Sequence, residues 1–153
     1  MGAAYFYHLT RRPLNQTLHT LLGKARQAGW QVVVRGRTDL LLKSLDDHLW
    51  TVSVDGFLPH GRAGGDHDAA QPILLSTSMD RPNDAQCVIS VEGAEVLAAE
   101  VVKLERVCIL FDGHDTSSVQ QAREQWKTLT SAGCAAQYWS EESGQWTKQA
   151  ETG

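Results

Sequence analysis

The sequence lacks the marks of several common protein classes. No apolar run reaches the about 18 residues of a membrane span, and the N-terminus has no sustained signal-peptide core. The three cysteines, Cys87, Cys108 and Cys134, are odd in number and widely spaced, which favours small buried thiols in a reducing compartment. The formal charge of -4 disfavours a protein that mainly coats nucleic acid, because phosphate binding needs an electropositive face. We therefore expect a cytoplasmic protein.

A glycine-rich phosphate loop is also missing. Phosphate-binding α/β folds place glycines between the first strand and its helix, so that backbone N–H groups can face the anion. Here that junction is Thr10-Arg-Arg-Pro-Leu14, and no G-x-x-x-x-G-K-[ST] motif occurs elsewhere. Residues 61–70, GRAGGDHDAA, contain glycines but follow no clear strand, so a flexible loop is expected there. The sequence predicts no P-loop and no cofactor.

What is present is an alternation of strand and helix patterns. Apolar spacing predicts helices near residues 14–26, 38–50, 95–102 and 116–132, and strands near residues 3–9, 30–34, 72–76, 87–91, 106–111 and 134–139. Such alternation indicates an α/β fold with a largely parallel sheet flanked by helices. At 153 residues the chain has the usual size of one domain, so residues 1–150 are expected to form a single domain.

Four polar side chains near the glycine-rich loop could suggest a metal site or an acid–base pair: His60, Asp66, His67 and Asp68. A flexible loop holds ligands poorly, and no H-x-x-x-H or C-x-x-C motif accompanies these residues. A solvated loop is therefore favoured and no metal site is predicted. We expect His60, which follows Pro59, to belong to an ordered turn.

Asp112, His114 and Asp115 are the best catalytic candidates by location, because they follow a predicted buried strand. They would suit a small hydrolase. One histidine and two aspartates without a nucleophile specify no reaction, and aspartates before a helix also act as caps and dipole partners. The interpretation as turn and cap is favoured, and the chain is expected to be no enzyme.

The helix near residues 116–132 carries a possible binding surface. At 100° per residue, an apolar stripe faces the sheet, made of Val119, Ala122, Trp126 and Leu129. Arg123 lies beside this stripe and Lys127 one turn beyond Arg123. An aromatic edge flanked by two cations suits an acidic peptide end, since charge-assisted hydrogen bonds contribute about 1.5–3 kcal/mol each. An ordinary helix with a core tryptophan and solvated cations is the alternative.

A second candidate surface combines Trp50, Phe57, Leu58 and Pro59. An aromatic residue at a helix end and another beside a proline turn often stay partly exposed, and rigid aromatics are enriched at interface hot spots. A loop tucked onto the core is the alternative.

Several short motifs occur in order over nearly the whole length: Phe6-Tyr-His-Leu9, Leu45-Asp-Asp-His-Leu-Trp50, Phe57-Leu-Pro-His60, Gln71-Pro-Ile73, Ala122-Arg-Glu-Gln-Trp-Lys127 and Tyr138-Trp139. Through these motifs the chain resembles the chi subunit of bacterial DNA polymerase III holoenzyme. Each motif is weak alone, whereas the ordered set is specific.

The resemblance implies a three-layer Rossmann-like fold and a non-catalytic accessory subunit of the clamp loader. It implies binding of the acidic C-terminal peptide of single-stranded-DNA-binding protein at Arg123, Trp126 and Lys127, with Val119 opposite a family position that can be basic. The surface of Trp50, Phe57, Leu58 and Pro59 would hold the small psi subunit or, in an alternative, a repair helicase. The isolated chain is expected to be a monomer that forms a heterodimer with its partner, without sequence-specific binding of nucleic acid.

Overall fold

The computed structural model describes residues 2–51, 59–141 and 145–152 and has an α/β fold built on an open eight-stranded sheet. The helices are α1 (Leu14–Gln27), α2 (Asp39–Thr51), α3 (Ala98–Lys103) and α4 (Thr116–Ser131). The strands are β1 (Ala3–Leu9), β2 (Val32–Arg35), β3 (Gly61–Arg62), β4 (Ile73–Ser76), β5 (Cys87–Ser90), β6 (Arg106–Asp112), β7 (Ala135–Ser140) and β8 (Thr147–Thr152).

The strand order is β3-β4-β2-β5-β6-β1-β7-β8. Every pair of neighbours is parallel except β7 and β8, which are antiparallel. Strand β1 lies between β6 and β7, and Phe6 pairs with Ile109 on one side and Tyr138 on the other. The prediction of a largely parallel sheet is confirmed.

Helices cover both faces of the sheet and enclose two cores. Leu22 of α1 and Leu45 of α2 are buried in one core, and Val101 of α3 and Leu129 of α4 in the other. Side chains of a strand point alternately to the two faces, so each central strand contributes to both cores. The three-layer Rossmann-like architecture expected from the sequence is therefore confirmed.

Two glycines follow the ends of helices α1 and α4. Gly29 follows α1 with φ +82° and Gly133 follows α4 with φ +88°. A side chain disfavours this left-handed conformation, which glycine adopts without strain. Both helices can therefore turn sharply into the strand that follows.

Polar residues stand before the first turns of α2 and α4. Thr38 precedes α2, and its hydroxyl oxygen accepts the backbone N–H of Leu41 at 3.3 Å, as a capping residue should. Helix α4 starts at Thr116, with Asp115 at the capping position.

Helix α3 begins three residues later than the predicted range of 95–102. The Glu95 carbonyl accepts a hydrogen bond from the Arg35 guanidinium at 3.1 Å. Glu100 reaches back to accept the backbone N–H of Leu97 at 3.0 Å. These two contacts fix the chain before Ala98 in a non-helical path, and the apolar spacing of the sequence does not reveal them.

Strand β8 was not predicted from the sequence. All six residues of β8 are exposed, so the strand lacks the apolar alternation by which strands are recognised. Its pairing with β7 is what makes it a strand.

Residues 61–70 contain more regular structure than a loop without periodicity would. Gly61–Arg62 pairs with β4, and Asp68–Ala70 forms a 3-10 turn. The Asp68 carboxylate accepts the backbone N–H groups of Gly64 and Gly65 at 3.0 and 3.1 Å. The expectation of a flexible loop stays a prediction, and the pairing with β4 is too short, at two residues, to give a sequence pattern.

All three cysteines are free and buried, which confirms their interpretation as small core thiols. Burial and a hydrogen bond between the Cys87 and Cys108 thiols raise the pKa of Cys87 well above its usual value. Among the described residues, no helix is both long enough and apolar enough to cross a bilayer.

Candidate functional site

Helix α4 and the last two strands border a groove of about 520 Å³. Three of the predicted site residues, Arg123, Trp126 and Lys127, line this groove together. Residues three and four positions apart are neighbours on a helix surface, so the three side chains share one face. The tertiary structure thus brings together the aromatic residue and both cations.

The indole of Trp126 is half-buried and packs against the core beneath α4. Its ring centroid lies 5.3 Å from that of Phe6 and 6.1 Å from that of Tyr138, both in edge-to-face geometry. The Tyr138 hydroxyl is in turn 2.8 Å from Nδ1 of His8. Aromatic pairs of this kind add about 0.5–1.5 kcal/mol beyond their buried area. The aromatic part of the groove is therefore held in place before any ligand binds.

The cations of the groove are available to a ligand. Arg123 and Lys127 are exposed, and neither forms an ion pair with a carboxylate in the part of the chain that the structure describes. Glu124 also lines the groove, which leaves two cations against one carboxylate. A negatively charged ligand would find a net positive rim around an aromatic surface.

The other residues that line the groove differ from those predicted for the site. Val119 is not among its described lining residues, because its half-buried side chain packs against the core. Gln120, Glu124, Tyr138 and Ala150 line it instead, beside the three predicted residues. Helical spacing could have indicated the first two of these. The last two come from β7 and β8, whose position beside α4 only the folded chain determines.

The second candidate surface is described in part. Trp50 lies at the end of α2 with 59% of its surface exposed, and its ring centroid is 4.9 Å from that of His60. Pro59 is exposed as well. Phe57 and Leu58 lie outside the described residues, so their place on this surface stays a prediction.

A third feature is a crevice of about 530 Å³ at the carboxyl ends of β1 and β6. These adjacent strands lead in opposite directions, since β1 continues through α1 to β2 and β6 continues through α4 to β7. Open α/β sheets bind ligands at such a switch point. Residues 10–14, the position of a phosphate-binding loop in related folds, line this crevice.

A carboxylate of the protein accepts hydrogen bonds from the backbone N–H groups of residues 10–12. Oε1 of Glu141 accepts the N–H groups of Thr10, Arg11 and Arg12 at 2.9, 2.8 and 2.8 Å. Glu141 is fully buried, and its Oε2 lies 3.4 Å from Nη1 of Arg12. The three N–H donors that could face a phosphate group are therefore already used by the protein itself.

Comparison with known proteins identifies the family. A family model described as DNA polymerase III chi subunit, HolC, matches residues 1–137. The chain belongs to the DNA polymerase III chi subunit family. A curated relative, the probable DNA polymerase III subunit chi of Rickettsia prowazekii (strain Madrid E), is 23% identical over 111 residues, which cover 69% of this chain and 67% of the relative. These findings confirm the resemblance seen in the sequence motifs.

The chi family match includes all of α1 to α4 and ends within β7. The groove residues Arg123, Trp126 and Lys127 and the exposed Trp50 lie inside the matched residues. Tyr138 on β7 lies just beyond them, although it pairs in register with Phe6 inside them.

Asp112, His114 and Asp115 make turn and cap contacts in this chi family protein. Asp112 Oδ1 accepts the backbone N–H of His114 at 2.9 Å, and His114 Nε2 is 2.7 Å from the Thr10 carbonyl oxygen. The Ser118 hydroxyl donates to Asp115 at 2.6 Å, and this hydrogen bond lowers the pKa of Asp115. These contacts agree with the interpretation that the sequence favoured over a hydrolase.

The polar residues around the glycine-rich loop do not converge. His60 is buried with Nε2 3.0 Å from Asp46 Oδ1, while Asp68 binds backbone N–H groups within its own loop. In residues 2–51, 59–141 and 145–152, no group of three or more His, Cys, Asp or Glu side chains is placed to hold a metal ion.

Proposed function

We propose that this chi family protein is a non-catalytic accessory subunit of the polymerase clamp loader. It would link the clamp loader to single-stranded-DNA-binding protein by holding that protein's acidic C-terminal peptide in the groove on α4. The observation that carries the proposal is the pairing of a preorganised Trp126 with two exposed cations that lack carboxylate partners among the described residues.

The chemistry of the groove fits such a peptide in two ways. An apolar or aromatic side chain of the peptide can pack against Trp126 and Tyr138. The carboxylates of the peptide can accept hydrogen bonds from Arg123 or Lys127. The groove is shallow, so a single contact would be weak. Several peptides on one coated DNA strand would raise the overall avidity.

Titration with a short acidic peptide ending in Pro-Phe tests the proposal. We expect Arg123→Ala to weaken binding by about tenfold or more, because a hydrogen bond to a charged group contributes about 1.5–3 kcal/mol. Isothermal titration calorimetry measures this loss. Lys127→Ala should weaken binding as well, and added salt should weaken the parent, because rim charges are screened.

Lys43→Ala is the matched control for Lys127→Ala, because Lys43 is an exposed cation on a different helix. It should bind the peptide as the parent does. Trp126→Phe keeps an aromatic ring on the core and separates loss of binding from loss of folding. No binding by the parent, or equal binding by Arg123→Ala and the parent, would refute this assignment.

The exposed Trp50 supports a second proposed contact on a different surface, with the psi subunit or a repair helicase. We expect Trp50→Ala to lose this partner in pull-downs followed by mass spectrometry, while retaining single-stranded-DNA-binding protein. Arg123→Ala should give the opposite pattern. Loss of the same partner by both variants would contradict two separate surfaces.

A further inference from the structure

A cavity of about 620 Å³ lies between α1 and the sheet, on the face opposite to α4. Its aromatic lining comes from β1, from β7 and from the segments that precede β2 and β8: Tyr5, Tyr7, Trp139, Trp30 and Trp146. Cavities that hold small molecules are typically 300–1,000 Å³ and are lined by apolar and aromatic side chains with a few polar groups. This cavity is separate from the peptide groove and from the Trp50 surface.

Arg106 supplies the cavity with a cation that has no carboxylate partner among the described residues. Its guanidinium carbon lies 3.8 Å from the ring centroid of Tyr5 and 5.6 Å from that of Trp30. In the described part of the chain, Arg106 has neither a carboxylate partner nor a side-chain hydrogen-bond acceptor, and its Nε is buried. A buried polar nitrogen such as this Nε normally has an acceptor, since burying a polar group without one costs free energy.

The other charged residues of the cavity lining also favour an anionic ligand. Lys24 and Arg12 also line the cavity, and no aspartate or glutamate is among its described lining residues. Arg12 is paired with Glu141, which leaves Lys24 and Arg106 for a ligand. The lining is positive although the whole chain carries a formal charge of -4.

Hydroxyl groups in the cavity add hydrogen-bond donors. The Thr17 hydroxyl is buried without a partner among the described residues. Burial raises the pKa of Tyr7 far above its usual value, so this phenol stays protonated and can donate. Donors and cations therefore face a space in which no described residue places a carboxylate.

We propose that this cavity binds a small planar aromatic molecule carrying a carboxylate or phosphate group. The anionic group accepts hydrogen bonds from Arg106 and Lys24, and the ring packs among Tyr7, Trp30 and Trp146. Tyr5 and Trp30 hold the guanidinium of Arg106 in position through contacts with its face.

Anilinonaphthalene sulfonate, a fluorescent aromatic anion, is a suitable probe for the full chain. We expect its fluorescence to rise on binding and Arg106→Gln to weaken this binding by about tenfold or more, because a charge-assisted contact is lost. Lys24→Gln, at an exposed position of α1, should weaken it severalfold without affecting the fold. Lys43→Gln, which removes an exposed cation of α2 outside the cavity lining, should leave probe binding unchanged.

Competition then identifies the source of the anion. Displacement of the probe by N-acetylphenylalanine would assign a carboxylate ligand, and displacement by adenosine monophosphate a phosphate ligand. Displacement by neither would overturn the ligand class. The proposed site would be overturned if Arg106→Gln and Lys24→Gln bind the probe as the parent does, or if Lys43→Gln loses binding equally. Because the acidic peptide is titrated separately, failure here leaves the proposed function untouched.

Discussion

Replacing Glu100 with alanine is expected to lower the free energy of unfolding by about 3–5 kcal/mol, the usual cost of removing one partner from a buried ion pair. Arg35 is among the largest fully buried side chains of the protein. Its Nη1 and Nη2 lie 3.0 and 2.9 Å from the two carboxylate oxygens of Glu100. The variant would leave the guanidinium buried without a counter-charge.

The same guanidinium connects several segments of the chain. It also donates to the carbonyl oxygens of Ser78, Met79 and Glu95 at 3.1, 3.0 and 3.1 Å. Arg35 belongs to a central strand, so these contacts attach two connecting segments and the start of α3 to the middle of the sheet. Loss of the Glu100 carboxylate therefore weakens the region around β2 as a whole.

Urea denaturation followed by circular dichroism measures the effect as a shift in midpoint. Glu105→Ala is the matched control, because Glu105 is an exposed glutamate near the same helix with no ion pair among the described residues. It should change the free energy of unfolding by less than about 0.5 kcal/mol. A loss below about 1 kcal/mol in Glu100→Ala would show that the ion pair contributes little.

Glu141→Ala is expected to destabilise the protein by about 2–4 kcal/mol, because it removes the acceptor of three backbone N–H groups and an unsatisfied buried donor costs about 1–3 kcal/mol. The loss should be smaller than three such costs added together. Water can reach part of the loop, since Arg11 is exposed. Glu141→Gln keeps one acceptor oxygen but no charge, and its stability should be intermediate.

The pH dependence of stability gives an independent measurement on both glutamates. Burial alone would raise the pKa of the Glu141 and Glu100 carboxyls, but hydrogen bonds and the nearby arginines outweigh it and hold each pKa below its usual value of 4.5. A carboxyl whose pKa is lowered by folding stabilises the protein above the pKa of the unfolded chain. This stabilisation is lost as the pH falls from 4.5 through the lower folded pKa.

Thermal unfolding between pH 3 and 7, in about half-unit steps around the usual glutamate pKa, separates the charge effect from packing. The parent should lose stability below pH 4.5, and Glu141→Gln should show a shallower decline in that range because it cannot be protonated. Glu151→Ala, which removes an exposed glutamate paired with exposed Lys148, is the control and should follow the parent. Parallel curves for parent and Glu141→Gln would contradict the role given to this carboxylate.

Much of the fold could be predicted because its signals are local. β1 was predicted with its observed bounds, and β6 and α4 were predicted to within one or two residues. Their apolar spacing reflects which face of each element is buried. The exposed strand β8 and the two-residue β3 have no such spacing, so they could not be predicted.

The residues of the groove likewise divide into those that the sequence predicts and those that only the fold brings together. Arg123, Trp126 and Lys127 are neighbours on one helix, so helical geometry alone places them together. Tyr138 enters from β7, because the parallel pairing of β7 with β1 sets it beside Trp126. No local sequence pattern indicates that the rings of Tyr138 and Trp126 lie close together.

The sequence by itself determined the α/β alternation, the buried face of each helix, the absence of a phosphate-binding loop and the cations beside Trp126. Local periodicity and residue chemistry are sufficient for each of these. Only the tertiary structure decided that Glu141 accepts hydrogen bonds from the loop at Thr10, across 131 residues of chain, and that Arg106 faces an aromatic cavity with no carboxylate partner among the described residues. Such contacts depend on strand order, because parallel pairing brings distant segments together at one end of the sheet.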